Sequence, residues 1–270
     1  MRYFVGAVRL IFIALITLFI LAVIFFGFPV MQTTTRLLWI RRLSGVILRI
    51  LGIRVTVRGR VENPSGLTSD GPGYMVCANH ISFADIFVLN SVMPCRFVAK
   101  KEIASWPFFG TISKGVDTLF IDRSRKRAVL EIADLMADAM KEGRNVLFFP
   151  EGTTSLGTVL LPFFPNLFEA GIRAETKILP ITLRYTCQGE TSSIPSYAGN
   201  TPLFEVLKHI VMTPGLGVEV TVLDPVDAAG RTRHQLCAEV SSLMAASLGV
   251  PDATAEKEAA RLRRLEAKAD

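Results

Sequence analysis

The sequence has 270 residues, half of them hydrophobic, which allows one sizeable α/β domain with a short appendage and argues against two large domains. Nine arginines and no acidic residue precede Glu62. Subtracting them leaves 21 basic against 24 acidic residues, so the net charge of +6 arises at the N-terminus. This distribution argues against a nucleic-acid groove, which needs cations spread over a folded domain, and favours contact with an anionic membrane surface.

Residues 10–30 form an apolar run of 21 residues without a charge. At the rise of an α-helix, this length matches the ~30 Å hydrocarbon core of a bilayer. The alternative is a cleaved signal peptide, whose apolar region is normally shorter and ends at a small-residue cleavage site. Bulky residues with Gly27 and Pro29 close the run, so we predict a retained membrane helix.

Residues 35–52 follow with apolar residues near helical spacing and interspersed arginines. The pattern predicts an amphipathic helix at the membrane interface, with Trp39 near the headgroups. The alternative is a helix that packs on the domain and uses its arginines for solubility. Only Arg2 and Arg9 precede the apolar run, whereas more arginines follow it. The positive-inside bias therefore places the downstream domain in the cytoplasm, at the cytoplasmic membrane; the arginines are Arg36, Arg41, Arg42, Arg49 and Arg54.

Residues 53–250 contain short apolar runs that alternate with helix-like stretches. This order is typical of an α/β domain with a mixed, largely parallel sheet flanked by helices. Residues 251–270 carry five basic and five acidic residues and predict a solvated helix or tail without function. We expect strands at 55–60, 73–79, 95–99, 117–122, 145–149, 177–185 and 218–223, and helices at 83–92, 125–142, 202–212 and 231–248.

The cysteines are far apart and form neither a Cys-x-x-Cys pair nor a His/Cys cluster, so the sequence does not indicate a zinc site. We predict reduced and mostly buried thiols, which fits a catalytic domain in the cytoplasm. The four are Cys77, Cys95, Cys187 and Cys237.

A first chemical motif follows the second predicted strand, where His80 precedes Asp85 by five positions. An imidazole titrates near neutrality and can accept a proton from an alcohol. A carboxylate on its other nitrogen would fix the tautomer and stabilise the imidazolium, as in a Ser-His-Asp arrangement. Here the substrate itself could supply the attacking hydroxyl, with Ser82 as N-cap of the next helix. The alternative is a structural histidine with a surface aspartate.

A second motif, Phe-Pro-Glu-Gly-Thr-Thr-Ser, follows the apolar strand at 145–149. Loops at the carboxyl ends of such strands are where α/β sheets place ligands. Pro150 and Gly152 favour a tight turn with backbone that a ligand can approach, and Glu151 can accept hydrogen bonds from a hydroxyl or amine. The alternative is a plain strand-to-helix turn in which Thr153 or Ser155 caps a helix.

These motifs resemble those of the lysophospholipid acyltransferase family, which includes the bacterial acylglycerophosphate acyltransferases. The resemblance covers about residues 73–185, and the N-terminal membrane helices are similar as well. The stretch 97–103, followed by Pro107 and Gly110, also looks like the family's segment between its first two blocks. Four blocks arrive in family order, at 79–85, 120–123, 149–153 and 179–181.

The resemblance implies that His80 is the general base on the acceptor hydroxyl and that Asp85 orients it. The acceptor oxygen then attacks the thioester of acyl carrier protein or coenzyme A, with no bound cofactor and no metal. Backbone N–H groups near Lys100 or Gly152 are candidate donors to the oxyanion. The acceptor, a lysolipid from the bilayer, would be held at its polar end by Arg123, Glu151, Gly152, Thr153 and Thr154.

A cationic group beyond the third strand would attract an acidic carrier protein or a coenzyme A phosphate, although an ordinary solvated rim explains it equally well. The group comprises Lys100, Lys101, Arg123, Arg125, Lys126 and Arg127.

One departure from the family pattern concerns the acceptor. Acylglycerophosphate enzymes commonly continue the third block with Arg and follow Leu-Pro-Phe with Lys, whereas this chain has Thr154 and Phe164. Each missing charge-assisted contact would be worth roughly 1.5–3 kcal/mol to a phosphate monoester. The acceptor therefore stays open between lysophosphatidate and lyso-ornithine lipid, whose enzymes look similar in this respect.

The sequence gives less support to two other functions. A catalytically inactive member that tethers or remodels membranes would be expected to lack His80 or Asp85, and both are present. A hydrolase that uses water as acceptor would need a nucleophile motif such as Gly-x-Ser-x-Gly, and none occurs.

Overall fold

The computed structural model describes residues 2–61, 63–68, 71–122, 126–199, 201–257 and 260. The first helix continues through a π-helical turn at Val23–Gly27 and a 3-10 turn at Phe28–Val30. The α-helices are α1 (Arg2–Ala22), α2 (Thr33–Leu51), α3 (Asp85–Val92), α4 (Phe109–Gly115), α5 (Lys126–Lys141), α6 (Glu169–Arg173), α7 (Leu203–Met212) and α8 (Arg233–Leu248). The strands are β1 (Arg54–Arg58), β2 (Met75–Ala78), β3 (Arg96–Lys100), β4 (Leu119–Ile121), β5 (Val146–Phe148), β6 (Lys177–Cys187), β7 (Glu190–Thr191), β8 (Leu216–Val222) and β9 (Val226–Asp227).

Within the described residues, the strands form one sheet whose main path runs β1-β8-β6-β2-β5-β3-β4. Strands β2 to β6 all run in the same direction. Strand β8 is antiparallel to β6 and parallel to β1, and the short β7 and β9 pair antiparallel with β6. The mixed, largely parallel sheet predicted from the sequence is therefore confirmed.

Strand β2 lies at the centre of this sheet and is fully buried. Because side chains alternate along a strand, Val76 and Ala78 enter the core on the side of α2, α3 and α7. Met75 and Cys77 enter the core on the other side, beneath α5 and α8. A strand covered on both faces is expected to be apolar throughout, which accounts for the Met-Val-Cys-Ala sequence.

All the predicted strands and helices of the domain are present, with ends shifted by a few residues. The sequence did not indicate α4, α6, β7 or β9, which have two to seven residues and, unlike the equally short β4 and β5, contain no run of consecutive apolar residues. The helix expected from residue 83 begins at Asp85, after a turn in which the backbone N–H of Ala84 donates to the Ser82 hydroxyl. Ser82 thus binds within that turn and is not the N-cap.

The start of the predicted tail at 251–270 packs on the domain. The Leu160 N–H donates to the Pro251 carbonyl, and the Phe163 N–H donates to the Thr254 hydroxyl. The ordered domain therefore extends slightly beyond residue 250, while residues 258, 259 and 261–270 of the predicted tail lie outside the described residues.

The first helix has two distinct sides. Ile20, Ile24 and Phe28 are buried against the domain. The opposite side exposes large apolar residues to the surroundings, namely Phe4, Val5, Ile11, Phe12, Leu15, Leu18, Phe19, Phe25, Phe26 and Val30. Residues Phe4–Val30 are long and apolar enough to cross a membrane. The exposed side suits contact with lipid acyl chains.

The helix begins at Arg2, before the apolar run, and so includes the charged Arg9. Its guanidinium donates to the carbonyl oxygen of Val211, at the C-terminal end of α7, over 2.8 Å. It also lies beside Gly52, where an added Cβ would come within 2.5 Å of the guanidinium. A cation at two helix C-termini is stabilised by their dipoles, so the charge does not interrupt the helix.

Helix α2 packs its apolar side on the domain, chiefly against α3. Arg41 on its outer side donates to the carbonyl oxygens of Ser91 and Pro64, and Trp39 lies 6.3 Å from Phe19 between ring centroids. An interfacial helix would face lipid with its apolar residues, but in α2 these residues are buried against the domain. The apolar side of α2 therefore follows the second alternative, a helix packed on the domain. Contact between the arginines and headgroups stays a prediction. These buried residues are Leu37, Leu43, Ile47, Leu48 and Leu51.

Removal of residues 1–52 is expected to make the domain aggregate, because the core residues beneath α1 and α2 would become exposed to water. The intact chain is expected to stay in the membrane fraction after a high-salt wash and to leave it only in detergent, since burial of an apolar helix does not depend on ionic strength. Membrane fractionation and immunoblotting would check both results. Recovery of the intact chain in the salt wash would contradict the assignment.

Candidate active site

The two sequence motifs meet at one edge of the sheet. Strands β2 and β5 are adjacent and parallel, with Cys77 opposite Phe148, so the residues after both strands emerge side by side. Strand β6 flanks β2 on the other side. Asn79 joins β2 to β6, since its amide donates to the Leu183 carbonyl and accepts from the Leu183 N–H. His80 therefore leaves the sheet from a fixed point.

Asp85 is fully buried and holds the His80 ring in place. Its Oδ2 lies 2.8 Å from His80 Nδ1 and accepts the backbone N–H groups of Ile81 and Ser82 over 2.7 and 2.9 Å. A buried carboxylate needs such donors, and its place in the first turn of α3 adds the favourable helix dipole. The carboxylate fixes the proton on Nδ1, which leaves Nε2 with a lone pair.

Tyr185 on β6 binds the second oxygen of this carboxylate. Its hydroxyl donates to Asp85 Oδ1 over 2.7 Å, and the side chain is 1% exposed. Burial and the neighbouring Asp85 charge raise the pKa of Tyr185 well above its ordinary value, so the hydroxyl stays protonated and donates. Both carboxylate oxygens of Asp85 are thus fixed, and the carboxylate cannot rotate away from His80.

Phe149 packs flat against one face of the imidazole. The two ring centroids are 3.8 Å apart and the rings are 9° from parallel. Phe97 supports Phe149 from β3, at a centroid distance of 6.2 Å. The His80 side chain is 19% exposed, and its other ring nitrogen is held by Asp85. The arrangement can therefore accept a proton at Nε2 from a hydroxyl that enters at this edge.

Glu151 binds backbone on both sides of the site. Its Oε1 accepts the His80 N–H over 2.7 Å, and its Oε2 accepts the Leu161 N–H over 3.0 Å. The residue is 2% exposed, and burial raises its pKa from 4.5 to about 7 against the lowering effect of the two donors. Both oxygens already have partners, so the geometry gives Glu151 a part in positioning the His80 backbone.

The rest of the third block forms a turn beside His80. Gly152 has a φ of +70°, which favours glycine, and its N–H donates to the Phe149 carbonyl. Thr153 is exposed, whereas the Thr154 hydroxyl donates to the carbonyl oxygen of Tyr197. Ser155 donates its N–H to the His80 carbonyl over 2.8 Å. The turn is therefore tied both to the catalytic motif and to the segment 192–199.

The cationic candidates lie farther along the same edge. Lys100 is exposed at the carboxyl end of β3, and Lys101 forms an ion pair with Asp122 at 3.6 Å. Arg123 and Arg125 lie outside the described residues. Arg127 pairs with Glu131 on the surface of α5, 85% exposed. The structure thus places His80, Asp85, Glu151 and Thr154 together, with the lysines at the next strand of the sheet.

Tyr185 and Phe149 are the functional candidates that sequence reasoning missed. Tyr185 is a hundred positions from Asp85, and only the pairing of β6 with β2 brings them together. Phe149 belongs to the second motif and to the block at 149–153, but the sequence gives its ring no role, and only the fold stacks it on His80. Tyr197 was missed as well, and its backbone N–H donates to the Ile81 carbonyl.

Comparison with known proteins identifies the family. A family model described as Acyltransferase matches residues 54–184. The 1-acyl-sn-glycerol-3-phosphate acyltransferase of Neisseria meningitidis serogroup B is 38% identical over 185 residues, which cover 68% of this chain and 69% of that protein. The chain belongs to the lysophospholipid acyltransferase family.

Other members of this acyltransferase family differ in the acceptor that their names state. The 1-acyl-sn-glycerol-3-phosphate acyltransferase of Neisseria gonorrhoeae is 40% identical over 58% of this chain, and the match spans 62% of that protein. The lyso-ornithine lipid O-acyltransferase of Rhodobacter capsulatus is 32% identical over 78% of this chain and 77% of that protein. Similarity therefore leaves both acceptors open.

The acyltransferase fold is shared with a solved structure. The crystal structure of the 1-acyl-sn-glycerophosphate acyltransferase from Thermotoga maritima aligns with a TM-score of 0.65 at 18% identity. The alignment covers 92% of this chain and 96% of that one, so it includes much of the N-terminal helical segment as well as the sheet.

Proposed function

We propose that this chain is a lysolipid O-acyltransferase that moves a fatty acyl group from a thioester to a lipid hydroxyl. The observation that carries the proposal is the fixed Tyr185–Asp85–His80 chain of contacts in a member of this family. The acceptor hydroxyl gives its proton to His80 Nε2 as its oxygen attacks the thioester carbonyl carbon. The C–S bond then breaks, and the thiolate leaves with the proton from the imidazolium.

Asp85 contributes by stabilising the imidazolium that forms during the attack. The carboxylate is buried and already oriented by four donors, so it needs no rearrangement as charge develops. The tetrahedral oxyanion requires donors of its own. The Gly152 N–H already donates to the Phe149 carbonyl, so backbone N–H groups near Lys100 are the proposed donors to the oxyanion.

The thioester donor is proposed to be acyl carrier protein or coenzyme A, and the chain needs no bound cofactor for this chemistry. Lys100 and Lys101, at the carboxyl end of β3 on the same edge of the sheet as His80, offer positive charge to either acidic donor. We further propose that the domain faces the cytoplasm, on the side where the arginines after the apolar helix lie. Purified enzyme in mixed micelles, supplied with each donor and analysed for diacyl product by mass spectrometry, tests the proposal. Absence of product with both donors and both lysolipids would overturn it.

The acceptor head group is proposed from Thr154. Its hydroxyl is engaged with the Tyr197 carbonyl, so neither a cation nor a free donor stands at the position where acylglycerophosphate enzymes commonly have Arg. A phosphate monoester gains most from a guanidinium, which offers a bidentate fork. We therefore propose a head without a phosphate monoester, as in lyso-ornithine lipid, with lysophosphatidate as the competing acceptor.

Thr154→Arg is expected to shift the ratio of rates toward lysophosphatidate by roughly tenfold, the size of one charge-assisted contact. The wild type is expected to acylate lyso-ornithine lipid faster at equal concentration. Competition assays with both lysolipids and product quantification by mass spectrometry measure the ratio. Thr154→Val is the control, because it removes the hydroxyl bond to Tyr197 without adding charge. Strong preference of the wild type for lysophosphatidate would show that another cation binds the phosphate, with Arg123 the first to test.

A further inference from the structure

An exposed aromatic cluster follows β3 and precedes α4. The side chains of Trp106, Phe108 and Phe109 are 40%, 59% and 43% exposed. Three large aromatic rings within four positions expose more apolar surface than scattered surface residues do. We call these three residues the aromatic loop.

The backbone of the aromatic loop keeps Phe108 turned outward. Phe108 has a φ of +58° and a ψ of −55°, a conformation that bulky L-residues rarely adopt, and the Phe109 N–H donates to the Pro107 carbonyl across it. The turn is locked at Gly110, where an added Cβ would lie 2.4 Å from the Ala104 carbonyl oxygen. Such strain, with no burial of the ring to offset it, is typical of segments with a function.

The aromatic loop lies at the edge of the sheet where His80 emerges, because β3 is parallel to β5 and β5 to β2. Loops from the neighbouring strands expose further large apolar residues at this edge. Leu156 and Phe164 follow β5, and Ile194 follows β7, with exposures of 56%, 55% and 37%. Exposed apolar side chains are therefore present in several loops that follow the strands of this sheet, in addition to the aromatic loop.

Helix α4, which begins at Phe109, connects the aromatic loop to the first helix. It packs on that helix, and at the far end of α4 an added Cβ at Gly115 would lie 2.4 Å from Ile24 Cγ2. The anchoring helix therefore supports the element that carries the aromatic loop. Lys100 and Lys101 lie at the base of the loop, where they would meet anionic headgroups.

We propose that the aromatic loop inserts into the bilayer as a second membrane contact, separate from the N-terminal helix, and turns the His80 opening toward the lipid. The Trp106 indole favours the headgroup region, where its apolar ring and its N–H are both satisfied, and the apolar rings of Phe108 and Phe109 favour the adjoining acyl chains. The occupant of this surface is the lipid bilayer, which is also the source of the acceptor. The inference rests on the proposed function only in taking the acceptor to be a lipid of this bilayer.

Tryptophan fluorescence tests the contact directly, because the chain has only Trp39 and Trp106. The full chain carrying Trp39→Phe is reconstituted in vesicles with 20% phosphatidylglycerol (about one anionic lipid in five, enough for a negative surface). Trp106 emission is expected to shift to shorter wavelength and to be quenched when brominated phospholipids replace part of the bilayer. Emission that matches exposed tryptophan and resists quenching would overturn the proposal, whether or not the enzyme turns over.

Phe108→Gly provides the second measurement, since glycine keeps the positive φ and removes the ring. The apparent KM for a lysolipid in vesicles is expected to rise roughly tenfold, the factor expected from losing one buried aromatic side chain. The rate with a short-chain, water-soluble acceptor is expected to be unchanged. Leu243→Ala on α8, which removes another exposed apolar side chain and keeps a good helix former, is the control for apolar surface. Equal KM values for Phe108→Gly and the wild type would overturn the proposal. Quenching of Trp106 without any acyl transfer would overturn the proposed function and leave the membrane contact standing.

Discussion

Replacement of His80 by alanine is expected to lower turnover by at least ~100-fold, the usual contribution of a general base. The ring accepts the proton at Nε2 while Asp85 holds Nδ1 at 2.8 Å, and no other described side chain is placed to take over that step. Purified variant and wild type are compared for initial rate with the preferred lysolipid. Thermal unfolding in detergent confirms that the variant is folded.

Asp85→Asn extends this prediction with a smaller structural change. The amide oxygen can still accept the N–H groups of Ile81 and Ser82, while the amide nitrogen faces Tyr185. Folding is therefore expected to survive, whereas turnover falls because a neutral amide cannot stabilise the imidazolium. His234→Ala, on the exposed start of α8, is the matched control and is expected to be as active as the wild type. A His80→Ala enzyme with near-normal turnover would disprove the mechanism.

Glu151→Gln is expected to lower turnover by about 10- to 100-fold, although Glu151 need not touch the substrate. One amide oxygen replaces two acceptor oxygens, so either the His80 N–H or the Leu161 N–H loses its partner and faces an NH2 group. A shift of the His80 backbone would move Nε2 out of line with the acceptor. Glu142→Gln, at an exposed position after α5, is the control. Equal turnover of Glu151→Gln and the wild type would contradict the positioning role.

The same variant has a characteristic pH dependence. The pKa of Glu151 is raised by burial to about 7 in the folded chain, above its ordinary value of 4.5. Between these values the native state binds more protons than the unfolded chain, so the stability from this group is full below pH 4.5, falls by about 3 kcal/mol as pH rises from 4.5 through 7, and is level above that. Melting temperatures in detergent at pH 5 and pH 8 are expected to show this fall for the wild type and not for Glu151→Gln. Parallel pH profiles for the two proteins would show that Glu151 is not a buried carboxyl of raised pKa.

The sheet and the catalytic pair could be predicted because their signals are local. Apolar runs bounded by turn residues marked β2 and β5, and His80 and Asp85 lie on one turn. Their spacing alone left open a structural histidine with a surface aspartate, and the order of the four motif blocks favoured the catalytic pair. Residue type also pointed to Glu151, but the sequence cannot distinguish a carboxylate that binds backbone N–H groups from one that binds substrate. Its role became clear only from its two partners.

The remaining features depend on contacts between distant parts of the chain. Tyr185 is an ordinary strand residue until β6 pairs with β2. The apolar positions of α2 have the same period whether they face lipid or α3, so the sequence could not separate the two alternatives. The positive φ of Phe108 could not be predicted, because the sequence Pro-Phe-Phe-Gly is compatible with several turns.

The first helix is attached to the domain at both of its ends, through Arg9 at α7 and Ile24 at α4. A domain held at two points cannot swivel about this helix, so a bilayer that held the helix, as we propose, would also fix the orientation of the domain relative to the membrane plane. Encounter with a lipid acceptor then becomes a search in two dimensions by lateral diffusion. The relevant measure of acceptor supply is its mole fraction in the surrounding leaflet, so diluting the bilayer with inert lipid slows the reaction even when the total amount of acceptor stays the same.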